Sequence, residues 1–192
     1  MTKNQFGKYN MTKLSICIPT FNRVRHLENC LNSILIASKK SSLNFEVCIS
    51  DNCSQEDTYS VIKKYKDKIE IVFNQNKYNI GYGSNSLKSV SMAKGEFVWM
   101  LGNDDLVLPD SFNIFEKLIN TNPEVDFYYV NSFHLNTDII DKFNFPFDTG
   151  RFNFSKLKKF SNYKKSGKQN FFELINPFKS FEFLLSTYLC VF

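Results

Sequence analysis

Apolar positions along this chain switch repeatedly between two periods. "LSICIP", Leu14 to Pro19, is a short unbroken apolar run, and in the following "FNRVRHLENCLNSILIAS" Leu27, Leu31, Ile34 and Leu35 recur at helical intervals. The pair predicts a strand, a loop and an amphipathic helix. "FEVCISD" (Phe45 to Asp51) repeats the strand pattern, and "EDTYSVIKKYK" then carries Val61, Ile62 and Tyr65 on one helical side. "IEIVFNQ" predicts a third strand. "SNSLKSVSMAKG" predicts a third helix ending on Gly95, where a C-terminal cap belongs. "EFVWML" is the fourth strand, a helix restarts near Ser111, and "DFYYVNSFHL" reads as a fifth strand running into a turn or hairpin.

Strands alternating with helices predict an α/β fold, a mostly parallel sheet flanked by helices on both faces. Residues 1–13 read as an N-terminal extension and 14–137 as the α/β core. Within 138–192, the stretch from Asp138 to Gln169 loses all period, and so long a connection is expected to bind or to move. "FFELINPFKSFEFLLSTYLCVF" then gives helical pieces broken by Pro177 and a closing apolar run.

Composition narrows the function classes only a little. At 192 residues the chain can bury a sizeable core. The formal charge is +5, but the 24 Lys and Arg are scattered, so no nucleic-acid partner is expected. Cys17, Cys30, Cys48, Cys53 and Cys190 form no CxxC pair and read as reduced thiols of a cytoplasmic protein. The first thirteen residues lack a signal peptide's apolar stretch, and no apolar window is long enough to span a bilayer. The Phe- and Leu-rich tail reads as core, or as a peripheral contact with the inner face of the cytoplasmic membrane.

Chemistry in such a sheet gathers at the carboxyl ends of the strands. There the sequence places Pro19, Thr20, Asn22 and Arg23 after the first strand, Asp51, Asn52 and Ser54 after the second, Asn79 and Gly81 after the third, and Asn103, Asp104 and Asp105 after the fourth. Several have plainer readings. Asn22 and Ser54 are good N-caps for the helices that follow. Arg23 suits a solvated helix start or a partner for a nearby carboxylate, Asp51 an ordinary loop, and Asn79 with Gly81 a turn, since both tolerate positive φ. Asp104 and Asp105 resist that treatment, because a turn needs one such residue and a second adjacent carboxylate only adds repulsion. Two carboxylates completed by phosphate oxygens are the usual setting for a divalent ion on a nucleoside diphosphate. His26 and His134 have no carboxylate partner in sequence, His26 is expected to be exposed, and no Ser–His or Cys–His arrangement supports a nucleophilic hydrolase.

Taken in order, "SICIPTFNR", "VCISDNCSQED", "NIGYGSN" and "GEFVWMLGNDDLVLPD" resemble the motifs of family 2 glycosyltransferases with the GT-A fold, over roughly Leu14 to Val130. The "LGNDD" variant is similar to that of an abequosyltransferase-like subgroup. The resemblance implies that Pro19, Thr20 and Phe21 pack along the base and ribose of a nucleotide sugar, with Asn22 and Arg23 beside them. It implies that Asp51 hydrogen-bonds the base next to Asn52, and that Asn79 and Gly81 line the nucleotide pocket. In the DXD element, whose first position here is Asn103, Asp104 would meet the ribose and share the metal, while Asp105 would hold Mg²⁺ or Mn²⁺ against the diphosphate. The implied reaction is inverting transfer of a sugar, from a UDP-sugar by default, to a hydroxyl of a surface polysaccharide or lipid-linked glycan. The family's general base lies downstream of the metal motif. Glu173 and Glu182 do not match its context, so the chain is expected to be C-terminally truncated, and a nucleotide-sugar-binding fragment without catalysis is the alternative reading. A receiver domain would pair its acids after the first strand, and a Rossmann oxidoreductase would show GxGxxG there; neither is present.

Overall fold

The computed structural model describes residues 11–130 and 132–158, together with the backbone of Cys190–Val191. Its strands are β1 (Leu14–Thr20), β2 (Phe45–Asp51), β3 (Ile71–Gln75), β4 (Phe97–Met100), β5 (Tyr128–Tyr129) and β6 (Cys190–Val191). They form one sheet in the order β3-β2-β1-β4-β6-β5. β1 pairs in parallel with β2 on one side and β4 on the other, and β2 pairs in parallel with β3. β6 lies antiparallel between β4 and β5, pairing Val191 with Trp99 and with Tyr128.

The helices are α1 (Val24–Ser38), α2 (Thr58–Tyr65), α3 (Tyr82–Val90), α4 (Ser111–Thr121) and the short α5 (Thr137–Ile140). Strand alternation separates two unlike faces. Leu14, Ile16 and Ile18 point into the apolar core with Leu27, Leu31 and Ile34 of α1 and Phe112 of α4. On the other face Ser15 and Glu46 are fully buried and bonded to each other at 2.7 Å, and the backbone N–H of Lys94, beyond α3, donates to Glu46 Oε1 at 2.7 Å. Strand order reverses between β1 and β4, and the crevice opens at that point, beyond Thr20 and Met100.

Several elements depart from the sequence reading. α3 starts at Tyr82, on Gly81 at φ +82°, and ends at Val90 rather than at Gly95. Gly95 is required by close approach: a Cβ there would lie 2.7 Å from the Ser15 backbone nitrogen and 2.8 Å from the Leu14 carbonyl carbon. Gly95→Ala is therefore expected to force β1 and the 91–96 turn apart, with a loss of about 2 kcal/mol in urea unfolding. The fifth strand is only two residues long. Neither Asn22 nor Ser54 caps a helix: Arg23 is the N-cap of α1, whose Val24 N–H is met by Glu56 Oε2 at 2.7 Å, and Asp57 caps α2 through the Ser60 N–H.

The aperiodic stretch after residue 138 is ordered by aromatic packing as far as Lys158. Phe147 is 1% exposed; its N–H donates to Asn29 Oδ1 at 2.8 Å and its carbonyl accepts from Asn32 Nδ2 at 2.9 Å, fixing the segment to α1. Phe143 packs edge-on against both Phe147 and Phe152, and Phe152 lies tilted against Phe147. Among the described residues no helix is long and apolar enough to cross a membrane, and the cysteines at 17, 30, 48 and 53 are free. The broken helical pieces around Pro177, the apolar tail side chains, Glu173 and Glu182 lie outside the described residues.

Candidate functional site

Four strand ends meet at the crevice, as parallel pairing requires. β1 and β2 run in register to Thr20 opposite Asp51, and the Asn52 N–H donates to the Thr20 carbonyl at 2.9 Å. Asn103, 7% exposed, donates from Nδ2 to Thr20 Oγ1 at 2.8 Å, tying the loop after β4 to the end of β1 across the reversal point. Pro19 completes β1, and Phe21 stays 42% exposed at the rim.

Asp51 has no exposed surface. Its Oδ1 accepts from the Ser54 N–H at 3.1 Å and from the Ser54 hydroxyl, and its Oδ2 accepts from Gln75 Nε2 at 3.0 Å. Ser54 Oγ in turn accepts from the Asn22 N–H at 2.8 Å, while Asn22 Oδ1 accepts from the Gln55 N–H at 2.7 Å. That exchange holds Asn22 at φ +49°, a conformation asparagine tolerates, and it explains why its side chain is turned away from α1. Asn52 Oδ1 accepts from the Ile80 N–H at 2.9 Å and its Nδ2 donates to Asn79 Oδ1 at 2.8 Å, so the loop after β3 is clamped to the loop after β2. Asn79 Oδ1 also accepts from the Gly81 N–H at 2.9 Å, which sets up the turn into α3.

One organising residue escaped sequence reasoning. Asn85, 2% exposed on α3, accepts at Oδ1 from Ser50 Oγ at 2.8 Å and Asn76 Nδ2 at 2.9 Å, and donates from Nδ2 to the Ser50 carbonyl at 2.9 Å and the Thr20 carbonyl at 3.5 Å. It joins the ends of β1, β2 and β3 at one amide. The available signal was a polar residue on the helix side that must face the sheet.

The acid pair stands at the mouth of the crevice. Asp104 is exposed and takes Arg23 Nη1 on its Oδ2 at 2.5 Å. Asp105 is half-buried, and its Oδ2 accepts from the Gly102 N–H at 3.0 Å. Burial, and behind it the charge of Asp104, pushes the Asp105 carboxyl up to about 6 against the pull of the Gly102 N–H. Gly102 is needed because a Cβ there would meet Asp105 Oδ2 at 2.8 Å and Asp104 Oδ1 at 2.9 Å. Both contacts are with flexible side-chain ends. Gly102→Ala should therefore fold normally while spreading the two carboxylates, and Mn²⁺ uptake followed by electron paramagnetic resonance should weaken about tenfold.

Two cavities meet at these acids. A polar cleft of about 810 Å³ is lined by Arg23, Arg25, His26, Glu56, Asp104 and Asp105, among others. His26 is thus half-buried on the cleft wall and not simply a solvent-facing position, because α1 begins at the crevice edge. An apolar cavity of about 470 Å³ runs from Asp104 and Asp105 past Trp99, Leu101, Ile114 and Phe154. Asp51, Asn52 and Asn79 lie outside both cavities, bound into the loops behind Thr20.

The residues present suit a divalent ion completed by a ligand. Among the described residues no three His, Cys, Asp or Glu side chains could cage a metal alone. The acids offer Asp105, whose carboxyl is pushed up by burial and by the charge of Asp104, and Asp104, whose partner Arg23 is itself half-exposed. Oxygens brought by a diphosphate would complete such a shell.

The family model for "Glycosyl transferase family 2" matches residues 15–181. The abequosyltransferase RfbV of Salmonella typhimurium is 35% identical over 130 residues, 67% of this chain and 38% of its own length. A Campylobacter jejuni GalNAc(5)-diNAcBac-PP-undecaprenol beta-1,3-glucosyltransferase is 35% identical over 113 residues, 57% of this chain and 35% of its own. The crystal structure of Staphylococcus aureus TarS 1–349 in complex with UDP-GlcNAc superposes with a TM-score of 0.53 at 27% identity, covering 58% of this chain and 32% of that one. This chain therefore spans little more than a third of the length of the curated relatives it matches.

Proposed function

The chain belongs to glycosyltransferase family 2, and from that premise we propose that it binds a nucleoside-diphosphate sugar at the crevice beyond β1 and β4 and serves transfer of the sugar to a hydroxyl acceptor. The observation that carries this is the convergence of Thr20, Asn103, Asp104 and Asp105 at the sheet's reversal point, with a basic helix start facing the acids across a polar cleft. Phe21, exposed at the rim, offers the base and ribose an apolar edge, and Pro19, buried in β1, holds the backbone behind it. Asp51 is the base acceptor; it is fully buried, so the base reaches it by displacing Gln75 or by using the carboxylate's remaining lone pair. Asn52, Asn79 and Gly81 hold the loop that closes this end.

Mg²⁺ or Mn²⁺ fits at Asp105 with Asp104, and when bound it neutralises charge on the departing diphosphate. Asn103 fixes the height of both acids by its bond to Thr20, and Asp104 is also within the loop that would meet the ribose. The acceptor must lose a proton to a base within hydrogen-bond reach. Glu173 and Glu182, downstream of the acid pair, lie outside the described residues. The relatives' names favour a cell-envelope glycan or a lipid-linked acceptor, and a UDP-sugar is the default donor; binding at the inner membrane face would suit such an acceptor.

The test is a thermal-shift titration with UDP, GDP, CDP and dTDP, each with and without Mn²⁺, on this chain and on Asp105→Ala. A rise in Tm with one nucleotide, dependent on Mn²⁺ and lost in the variant, is the expected result. If no nucleotide shifts the melting curve, the crevice is not a donor site. If binding is seen without any donor hydrolysis or transfer, the chain is a binding fragment and the enzyme reading fails for it.

A further inference from the structure

We propose that Arg23 is a counter-ion with two stations, which occupies Asp104 while the site is cation-free and moves to the diphosphate when cation and nucleotide enter together. The inference rests on the donor-site reading above and adds a positioning role that makes metal and nucleotide binding interdependent.

The geometry points to this in three ways. First, the Arg23 backbone is immobilised while its side chain is not. Its carbonyl accepts the Leu27 N–H at 3.0 Å as the N-cap of α1, the residue before it is locked into the Ser54–Gln55 loop, and the residue after it is held by Glu56. Among the described residues its guanidinium makes one ion pair, to Asp104, with 52% of the Arg23 side chain and 50% of the Asp104 side chain exposed. An ion pair that open to water contributes little and is readily exchanged.

Second, Arg23 bonds the exposed acid and leaves Asp105 without a cation, so the pair's repulsion is only half relieved. A divalent ion reaching Asp104 must displace a like charge. Arg23 therefore opposes uptake of the ion alone.

Third, the other arginine on the cleft is turned away from the acid pair: Arg25 pairs with Asp141 at 3.1 Å and lies over the Phe145 ring at 4.7 Å. Arg23 has donors left in a planar fork, the arrangement that matches two phosphate oxygens. A diphosphate arriving with the ion supplies a new partner as the old one is lost, so each ligand improves the site for the other.

Isothermal titration with Mn²⁺ alone, with UDP alone and with UDP in excess Mn²⁺ tests this on the wild type, Arg23→Ala and Arg23→Lys, with GDP, CDP and dTDP as substitutes if UDP is not the favoured base. Arg23→Ala should bind Mn²⁺ alone about fivefold more tightly and the Mn²⁺–nucleotide pair about tenfold more weakly, with an unchanged melting temperature. Arg23→Lys should keep the weak Mn²⁺ binding and recover only part of the nucleotide affinity. Mn²⁺ affinity that is unchanged or lower in Arg23→Ala overturns the proposal, as does an undiminished affinity for the pair. A wild type that binds no nucleotide with Mn²⁺ overturns the donor-site reading instead, and the role of Arg23 falls with it.

Discussion

Asp105→Asn is expected to make the metal-free protein more stable while abolishing its Mn²⁺-dependent response to nucleotide. The carboxyl of Asp105 is pushed up to about 6, first by burial and then by Asp104. An acid whose folded pKa exceeds its unfolded value binds more protons folded than unfolded in the window between the two. Stability therefore falls as pH rises from about 4 to about 6, and above that the full penalty is present. Raising the carboxyl from its ordinary value to about 6 corresponds to about 3 kcal/mol, and partial solvation of this half-buried group reduces the gain from removing it to about 2 kcal/mol. The amide oxygen of asparagine can still accept the Gly102 N–H, so the loop has no reason to move. In a chain of this size the gain should raise Tm by roughly 5 °C at pH 7.5, and it should vanish at pH 4, where the wild-type carboxyl is already protonated. The same experiment with Mn²⁺ and nucleotide should reverse the ranking, since only the wild type offers the anion. Metal uptake by the wild type should also weaken as pH falls below about 6, because a proton then competes for the same oxygen. A variant no more stable than the wild type at pH 7.5 would mean that Asp105 is not strained by its surroundings.

A site that is destabilising when empty is legible in sequence for the reason Asp104 and Asp105 were: the residues make no sense as structure. β1 and β2 are readable because each is a run of residues buried on both faces, β3 and β4 because each is a short apolar run between turn residues, and the crevice follows from topology. What failed was whatever depends on a partner distant in sequence. Asn22 has the composition of a cap, yet its carbonyl oxygen is taken by the Gln55 N–H, and Glu56 from the same distant loop meets α1 in its place. Gly95 looks like a helix stop, but the backbone of β1 is what excludes a side chain there. The stretch after residue 138 has no period because an aromatic cluster and two asparagines of α1 hold it, and contacts of that kind repeat at no fixed interval. His26 was read as solvated because the pattern of α1 alone does not show that the helix starts at the edge of a cleft.

Asn85 is the largest of these omissions, and its replacement should have the largest effect on the fold. The amide makes four hydrogen bonds in a setting that is 2% exposed, and all four partners sit at or just beyond the carboxyl ends of β1, β2 and β3. Asn85→Ala removes every one and leaves the Ser50 hydroxyl without a partner in a place water enters poorly, while the Ser50 and Thr20 carbonyls keep only their bonds in the β1–β2 pairing. Stranding the hydroxyl costs about 1–3 kcal/mol and each of the other lost bonds adds up to about 1 kcal/mol, so the total, allowing for relaxation, is about 4 kcal/mol, enough to threaten a domain of ordinary stability. Asn85→Asp separates lost packing from lost hydrogen bonding, because the shape is preserved. Its carboxylate would still accept from Ser50 Oγ and Asn76 Nδ2, but it would face the Ser50 and Thr20 carbonyls with no proton to give. When protonated it can donate once, so this variant should be markedly less stable than wild type at pH 8 and recover part of the difference near pH 5, whereas the Ala variant should show no such recovery. Urea unfolding at the two pH values, compared with the wild type, measures both. Because Thr20 carries Asn103, and Ser50 precedes Asp51, loosening this amide should also weaken nucleotide binding in conditions where the variant remains folded. An Asn85→Ala protein with wild-type stability would show that the three strand ends are aligned by the sheet alone and that the crevice does not depend on α3.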